Sequence, residues 1–520
     1  MKTYLQKHSR AILTGILVGT SFIPFYPWAI YFCWIPIWRE WVDNPKAKNV
    51  FWQGWVAQFV LTLIGFHWVS HVASEFGHLP LPVAILVLLA FASFANLQVP
   101  LAGLFWSYFQ RKYHFSREQN FILLALVLIV FEYFFPMIFP WNMGYTWLYA
   151  GWPSYHWADF FGFQGLSAIT ILINLIVVIG IERARNKITV RPVVISLALL
   201  LLGLNVGGAL RNQRWESTDS KISFLQVQAN IGNFEKYVAE RKGLFRDYIL
   251  DRYLELTRKG LEDFPDVDAI IWPETAIPDR LDDFYKFSPI NANLRKAIAT
   301  FNKPLVTGAY SSDPSSPQVF NAMFFFGRQG ELTSPPYRKN ILLAFGEYFP
   351  GAQWFPKLKE LVPEISDFGR GKGPIATPIL DFYAGPQICY EGLFPEYSKE
   401  MISQGAQFFI NTTNDSWYDT VFEPKQHMYM TLGRAIEFRR PLVRVTNTGI
   451  STAILANGKI LGQTAMNQPV YQRIDISFLK EGGHTFFERN GHYYPILFLI
   501  VMLVYLVHAI TFKEVRKNEF

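Results

Sequence analysis

The sequence predicts a two-part protein: a multi-span α-helical membrane domain of about eight transmembrane helices, and an extracytoplasmic α/β sandwich. Three observations carry this reading. Residues are 51% hydrophobic and 17% aromatic but only 17% charged, which is too apolar for an ordinary soluble chain. The long uncharged runs are confined to 1–210 and to about 493–512, while 211–490 has a mixed, soluble composition. The basic residues of 1–210 fall into four clusters between the apolar runs, as membrane topology requires.

Those clusters are Lys2/Lys7/Arg10, Arg39/Lys46/Lys48, Arg111/Lys112/Arg117 and Arg183/Arg185/Lys187/Arg191. Apolar stretches lie between them at 11–38, 51–70, 82–109, 120–138, 160–181 and 192–210. Placing every cluster on the cytoplasmic face makes 11–38 cross twice, with its turn at Pro24–Pro27, because proline removes a backbone donor and breaks a helix. The other stretches then alternate, and the opposite loops around Glu75 and Asp159 carry no Lys or Arg. This predicts seven spans in 1–210, a catalytic-sized domain outside the cytoplasm over 211–490, and a last span with a basic cytoplasmic tail over 491–520. The net charge of +7 therefore reads as topology, and no nucleic-acid partner is expected. No small-residue cleavage pattern follows the first apolar run, so it reads as a retained span. His67 and His71 lie four apart without a third ligand, and no metal-ligand spacing appears elsewhere.

Period-two alternation in Ile222–Gln228 predicts a strand, followed by a helix over 239–261. Further strands are predicted at Asp268–Trp272, Pro304–Gly308, Ala322–Gly327, Phe382–Cys389, Phe408–Thr412, Leu442–Thr446 and Thr452–Leu455. Helices are predicted over 288–302, 393–404 and 424–438. This order predicts a layered α/β sandwich with its polar chemistry at the strand ends.

Three such ends or loops carry groups that fit together. Cys389, in Gln387-Ile388-Cys389-Tyr390-Glu391, is the only cysteine of 211–490; Cys33 sits in an apolar run and reads as packing. Glu274 follows Ile271-Trp272-Pro273, and Lys339 lies eight residues before Glu347. Taken singly, a strand-end Cys is filler, a Glu after a strand is solvated, and a loop Lys is surface charge. Together they supply the thiol, base and cation of nucleophilic acyl transfer.

Trp-Pro-Glu, a Lys ahead of Gly-Glu-Tyr, and Cys-Tyr-Glu, in that order, resemble the nitrilase (carbon–nitrogen hydrolase) superfamily and its Glu-Lys-Cys triad. A nitrilase-like domain between a multi-span block and one C-terminal span resembles the membrane branch, the apolipoprotein N-acyltransferases. Gly65–Ser70, Phe139-Pro140-Trp141, Val227–Ile231, Asn414–Trp417 and Arg444–Ser451 add to the likeness. Tyr237 stands where that family usually has Trp.

The resemblance implies an αββα nitrilase-like fold and a multi-pass protein of the bacterial cytoplasmic (inner) membrane, with both termini cytoplasmic. It implies Glu274, Lys339 and Cys389 as catalytic residues, with Glu347, Tyr390, Glu391 and Tyr237 in support, and neither metal nor cofactor. Its implied partners are a phospholipid acyl donor, a diacylglyceryl-modified apolipoprotein acceptor and membrane lipids. Two rivals stay open at this point. A nitrilase-like amidase would use water on the same thioester. A transporter would be non-enzymatic, against which Glu132 is the only acidic residue well inside a span. The aromatic segment Phe345–Phe368, with Lys357 and Lys359, reads either as a domain-core edge or as an arm resting among headgroups.

Overall fold

A computed structural model of the chain describes residues 7–518 except 76, 78, 314–317, 345, 349–367, 417 and 419. Most of the 345–368 segment therefore lies outside the described residues. The chain forms two compact units. One comprises Met1–Ala73, Pro80–Arg211 and Phe486–Phe520; the other comprises Ser74–Leu79 and Asn212–Thr485.

The first unit is helical. Among the described residues four helical stretches are long and apolar enough to cross a membrane: Leu81–Tyr113, Pro153–Arg185, Arg191–Gln213 and Phe486–Thr511. A fifth would be Ala47–Gly65 with Val69–Glu75, bent by 58°. The sequence predicts eight, and the difference has two physical sources. The predicted hairpin 11–38 has one short apolar helix, Ser9–Gly19, then turns, then the nine-residue helix Ile35–Asp43. Eleven helical residues reach only about 16 Å against a hydrocarbon core of about 30 Å. The predicted span 120–138 is realised as Arg117–Phe134, whose 18 residues include Arg117, Glu118 and Glu132. Arg191–Gln213 has only 11% of its apolar window buried and keeps Ile195, Leu199, Leu202 and Val206 exposed, as a lipid-facing helix does.

One feature of this unit bears directly on topology. Arg10 pairs with Asp43 at 2.9 Å, and Arg117 pairs with Asp43 at 2.7 Å and with Glu182 at 2.5 Å. Arg39 also pairs with Glu182, at 3.1 Å. Glu182 adjoins Arg183, so a single ion network gathers segments from all four basic clusters at one end of the unit.

The second unit is an αββα sandwich. One sheet runs in the order Val470–Phe478, Ser220–Gln228, Ala269–Ile271, Leu305–Ser312, Val319–Phe326, Tyr337–Arg338, with Ile277–Arg280 paired off Leu305–Ser312. The other runs Ile460–Leu461, Thr452–Ile454, Leu442–Thr446, Phe408–Thr413, Phe382–Ile388, Thr377–Ile379. Period-two alternation divides the side chains between layers. Phe224, Ala269 and Ile271 meet Ile388, Phe408, Ile410 and Val443 in the core between the sheets. Leu225, Val227 and Ile270 face the other way, onto Ile249, Tyr253, Leu294 and Ile298 of the covering helices. The second sheet is covered by Phe422–Phe438, with Phe409 against Phe438.

The predicted helix 239–261 is two helices, Asn233–Lys242 and Arg246–Asp263. Gly243, at φ 70°, ends the first in the left-handed conformation. The edge strand Val470–Phe478 is absent from the sequence reading, although Ile474, Ile476 and Phe478 alternate with Arg473, Asp475 and Ser477 as a half-buried strand does.

Candidate active site

Glu274 and Cys389 stand just beyond parallel strands, and Lys339 follows a short antiparallel one. Ala269–Ile271 runs out through Trp272 and Pro273 into Glu274, which is 5% exposed. Its neighbour Thr275 has φ 45°, and a Cβ on Gly308 would lie 2.5 Å from the Thr275 nitrogen and 2.6 Å from the Glu274 Cα. Glycine at 308 is what lets the adjacent strand approach the Glu274 backbone. Phe382–Ile388 ends at Cys389, itself in the left-handed region at φ 51°. A non-glycine residue held there stores roughly 1–3 kcal/mol of strain, so both ends of the site are tightly determined. Tyr337–Arg338 delivers Lys339, which is 1% exposed.

Lys339 Nζ donates to Glu347 Oε1 at 2.8 Å and to Glu274 Oε1 at 3.2 Å. Asn321 Nδ2 bridges the same two carboxylates, at 2.7 Å to Glu274 and 3.1 Å to Glu347. The second oxygen of Glu274 accepts the Asn414 backbone N–H at 2.9 Å, and that of Glu347 accepts Leu343 N–H at 2.9 Å. Burial disfavours the Lys339 ammonium, but Glu274 and Glu347 outweigh it and hold the lysine protonated well above its ordinary range. Burial, then the charge of Glu274, push the Cys389 thiol well up, with Lys339 opposing. This setting favours the neutral thiol over the thiolate.

Glu391 is fully buried and ties two catalytic segments together. Its carboxylate accepts from Tyr337 Oη at 2.8 Å, Asn340 N–H at 2.6 Å, Ile341 N–H at 3.2 Å and Ile388 N–H at 2.8 Å. The loop carrying Lys339 is thus clamped to the strand end carrying Cys389. Burial pushes the Glu391 carboxyl up, while these donors stabilise its anion. Tyr390 follows the thiol and packs edge-on against Phe394, ring centroids 5.0 Å apart. Tyr237 lies half-exposed on the helix Asn233–Lys242, next to Lys236.

The sequence reading did not single out several members of this site. Asn321 had a signal: it is the one polar residue of the strand Val319–Phe326. Lys236 is 4% exposed and donates to Thr275 Oγ1 at 3.2 Å; burial lowers its pKa to about 8, with Glu240 and Glu274 opposing. Asp415, Glu423 and His427 bring potential ligand atoms within 4.8 Å of one another, a grouping their spacing conceals. Arg444 compensates it. Against burial, Arg444 and His427 hold Asp415 low; burial and Asp415 raise Glu423; burial and Arg444 push His427 down.

The Carbon-nitrogen hydrolase family matches residues 220–481. The Apolipoprotein N-acyltransferase N-terminal domain matches residues 14–176. The chain is 42% identical to the apolipoprotein N-acyltransferase of Bdellovibrio bacteriovorus, over 95% of this chain and 92% of that protein. It is 28% identical to the apolipoprotein N-acyltransferase of Geobacter metallireducens, over 92% and 91%. Among solved structures it is similar to a carbon-nitrogen hydrolase from Helicobacter pylori G27, at 14% identity and TM-score 0.38, over 49% of this chain and 89% of that one. Both halves of the chain are matched, and a relative is 42% identical along nearly its whole length, so the chain belongs to the apolipoprotein N-acyltransferase family.

Proposed function

We propose that the protein transfers an acyl chain by a ping-pong reaction through a thioester on Cys389. The observation that carries this reading is the buried Glu274–Lys339–Glu347 constellation, electrostatically coupled to the strand-end thiol. In the first half, Cys389 Sγ attacks an ester carbonyl of a phospholipid while Glu274 takes the thiol proton. Lys339 and the Tyr390 backbone N–H stabilise the tetrahedral oxyanion. The C–O bond then breaks, Glu274 returns the proton to the glycerol oxygen, and a lysophospholipid leaves. In the second half, the free α-amino group of an N-terminal diacylglyceryl-cysteine attacks the thioester. Glu274 takes the amine proton and passes it to the departing sulfur, and an amide remains. Glu347 and Glu391 position the lysine and the thiol. The test is mass spectrometry of the purified protein after incubation with labelled phospholipid. An acyl adduct on Cys389 that a diacylglyceryl-cysteine peptide discharges is expected; turnover without any adduct would exclude the thioester.

The same reading places the catalytic unit outside the cytoplasm and both termini inside. The ion network that joins Arg10, Arg39 and Arg117 of three basic clusters to Asp43 and to Glu182, beside the fourth, supports it, since cytoplasmic ends concentrate Lys and Arg. A reporter fused after Arg211 is expected outside, and one fused after Lys517 inside. A cytoplasmic signal from the Arg211 fusion would separate the catalytic unit from its lipid acceptor and overturn the placement.

A further inference from the structure

Behind the nucleophile runs a second polar chain that the reaction scheme does not use. The Cys389 carbonyl accepts from Asn411 Nδ2 at 3.2 Å, and the same amide donates to the Gln387 carbonyl at 3.2 Å. Asn411 Oδ1 accepts from Arg444 Nη1 at 2.8 Å and from Thr413 Oγ1 at 3.0 Å. Arg444 also donates to Thr413 Oγ1 at 3.2 Å, and it ends on Asp415 Oδ2 at 2.9 Å. Asn411 and Arg444 are both fully buried, and they face each other directly across the parallel strands Phe408–Thr413 and Leu442–Thr446. Asp415 immediately follows Asn414, whose N–H holds Glu274. Gly449 packs close against Asp415, since a Cβ there would stand 2.0 Å from Asp415 Oδ2.

A buried guanidinium is a poor choice for stability alone, because desolvation consumes most of what its ion pair contributes. What it offers is a rigid fork that fixes several acceptors at once. Here those acceptors lie along Phe408–Thr413 and the two residues after it, a segment that touches both the nucleophile and the base. We propose that Arg444 is a positioning residue for acyl transfer, holding Cys389 in its left-handed conformation through Asn411 and keeping Glu274 in register through Asp415 and Asn414. The proposal rests on Cys389 as nucleophile and Glu274 as base.

Asn411→Asp tests the link without removing Arg444. The new carboxylate still accepts from Arg444 but cannot donate to the Cys389 carbonyl. Asn411→Ser breaks the same donation without adding charge. Each variant of the full chain is followed by acyl transfer and by iodoacetamide alkylation of Cys389 across pH. In the wild type the thiol rests protonated, and Glu274 is expected to take its proton only as the sulfur attacks iodoacetamide, so alkylation is expected to persist below the pH at which the thiol ionises. In both variants that base-assisted component is expected to vanish, leaving alkylation only at alkaline pH. The kcat of acyl transfer should fall about 100-fold with KM for phospholipid unchanged, the scale of a misplacement near 1 Å. A folded variant with the wild-type alkylation profile and kcat would overturn the proposal. So would loss of fold in both variants, because the contact would then serve stability. Cys389→Ala measured alongside separates the two claims: if it still transfers acyl chains, the reading of the site itself has failed.

Discussion

Cys389→Ser is expected to abolish acyl transfer while leaving the protein folded and in the membrane. The substitution keeps the shape at a position of φ 51° and so adds no new strain to the strand end. What it removes is chemistry. A serine hydroxyl is a weaker nucleophile than a thiol and a poorer leaving group, and the ping-pong cycle needs both properties at the same atom. Removing the nucleophile of a comparable covalent enzyme costs on the order of 10⁶ in kcat, and a loss of that scale is expected here. Labelled phospholipid incubated with Cys389→Ala should leave no adduct at all. Normal turnover by purified Cys389→Ser would sink the thioester route, since among the described residues the only other cysteine, Cys33, is buried in the helical unit.

Glu274→Gln should be the next most damaging change, and in both halves of the cycle. The thiol of Cys389 is held protonated by burial and by the carboxylate beside it, so no preformed thiolate is available. Glutamine keeps the size and an acceptor for Asn321, but it cannot take a proton. Its amide group would also face the Asn414 N–H, which now donates to a carboxylate oxygen. General base catalysis contributes about 10²–10⁴-fold, and because one group serves two proton transfers, acylation and discharge should both slow by that order. The measurement is adduct on Cys389 with time after phospholipid, then its decay after a diacylglyceryl-cysteine peptide. Acylation at the wild-type rate would move the base role elsewhere; Lys236, buried against Thr275, would be the next group to replace.

Around the proposed base, the neighbouring charges are already engaged with one another. Lys339 is not a free cation waiting for an oxyanion, since two carboxylates already share it. Those two carboxylates outweigh its burial and hold it protonated. Glu391, two residues beyond the thiol, spends its whole carboxylate on the loop of Lys339 and on the Ile388 N–H. It acts through the residues it holds.

Much of this protein is legible in its residues taken in order. The long apolar runs, the basic clusters and the alternation of Ile222–Gln228 are local patterns, and local patterns report solvent and secondary structure directly. The three chemical groups stood at strand or loop ends, where side chains escape the core, and their order along the chain resembled a known triad. Other features depended on distance through space. The break at Gly243 is local, but the edge strand Val470–Phe478 takes its place by pairing with Ser220–Gln228, far earlier in the chain. Likewise, 11–38 holds all the apolar residues of a two-span hairpin, yet its helices end at Gly19 and begin again only at Ile35.

The site shows the same boundary. Residue type and order alone pointed to a thiol, a base and a cation at Cys389, Glu274 and Lys339, because nucleophile, proton acceptor and charge are properties of single side chains. Which groups hold them could not be read that way. Asn321 lies 47 residues from Glu274, Asn414 lies 140 from it, and Arg444 reaches Asn411 across 33. A buried asparagine or arginine becomes a support only when two strands bring it opposite an unsatisfied partner, and that register is set by the tertiary structure.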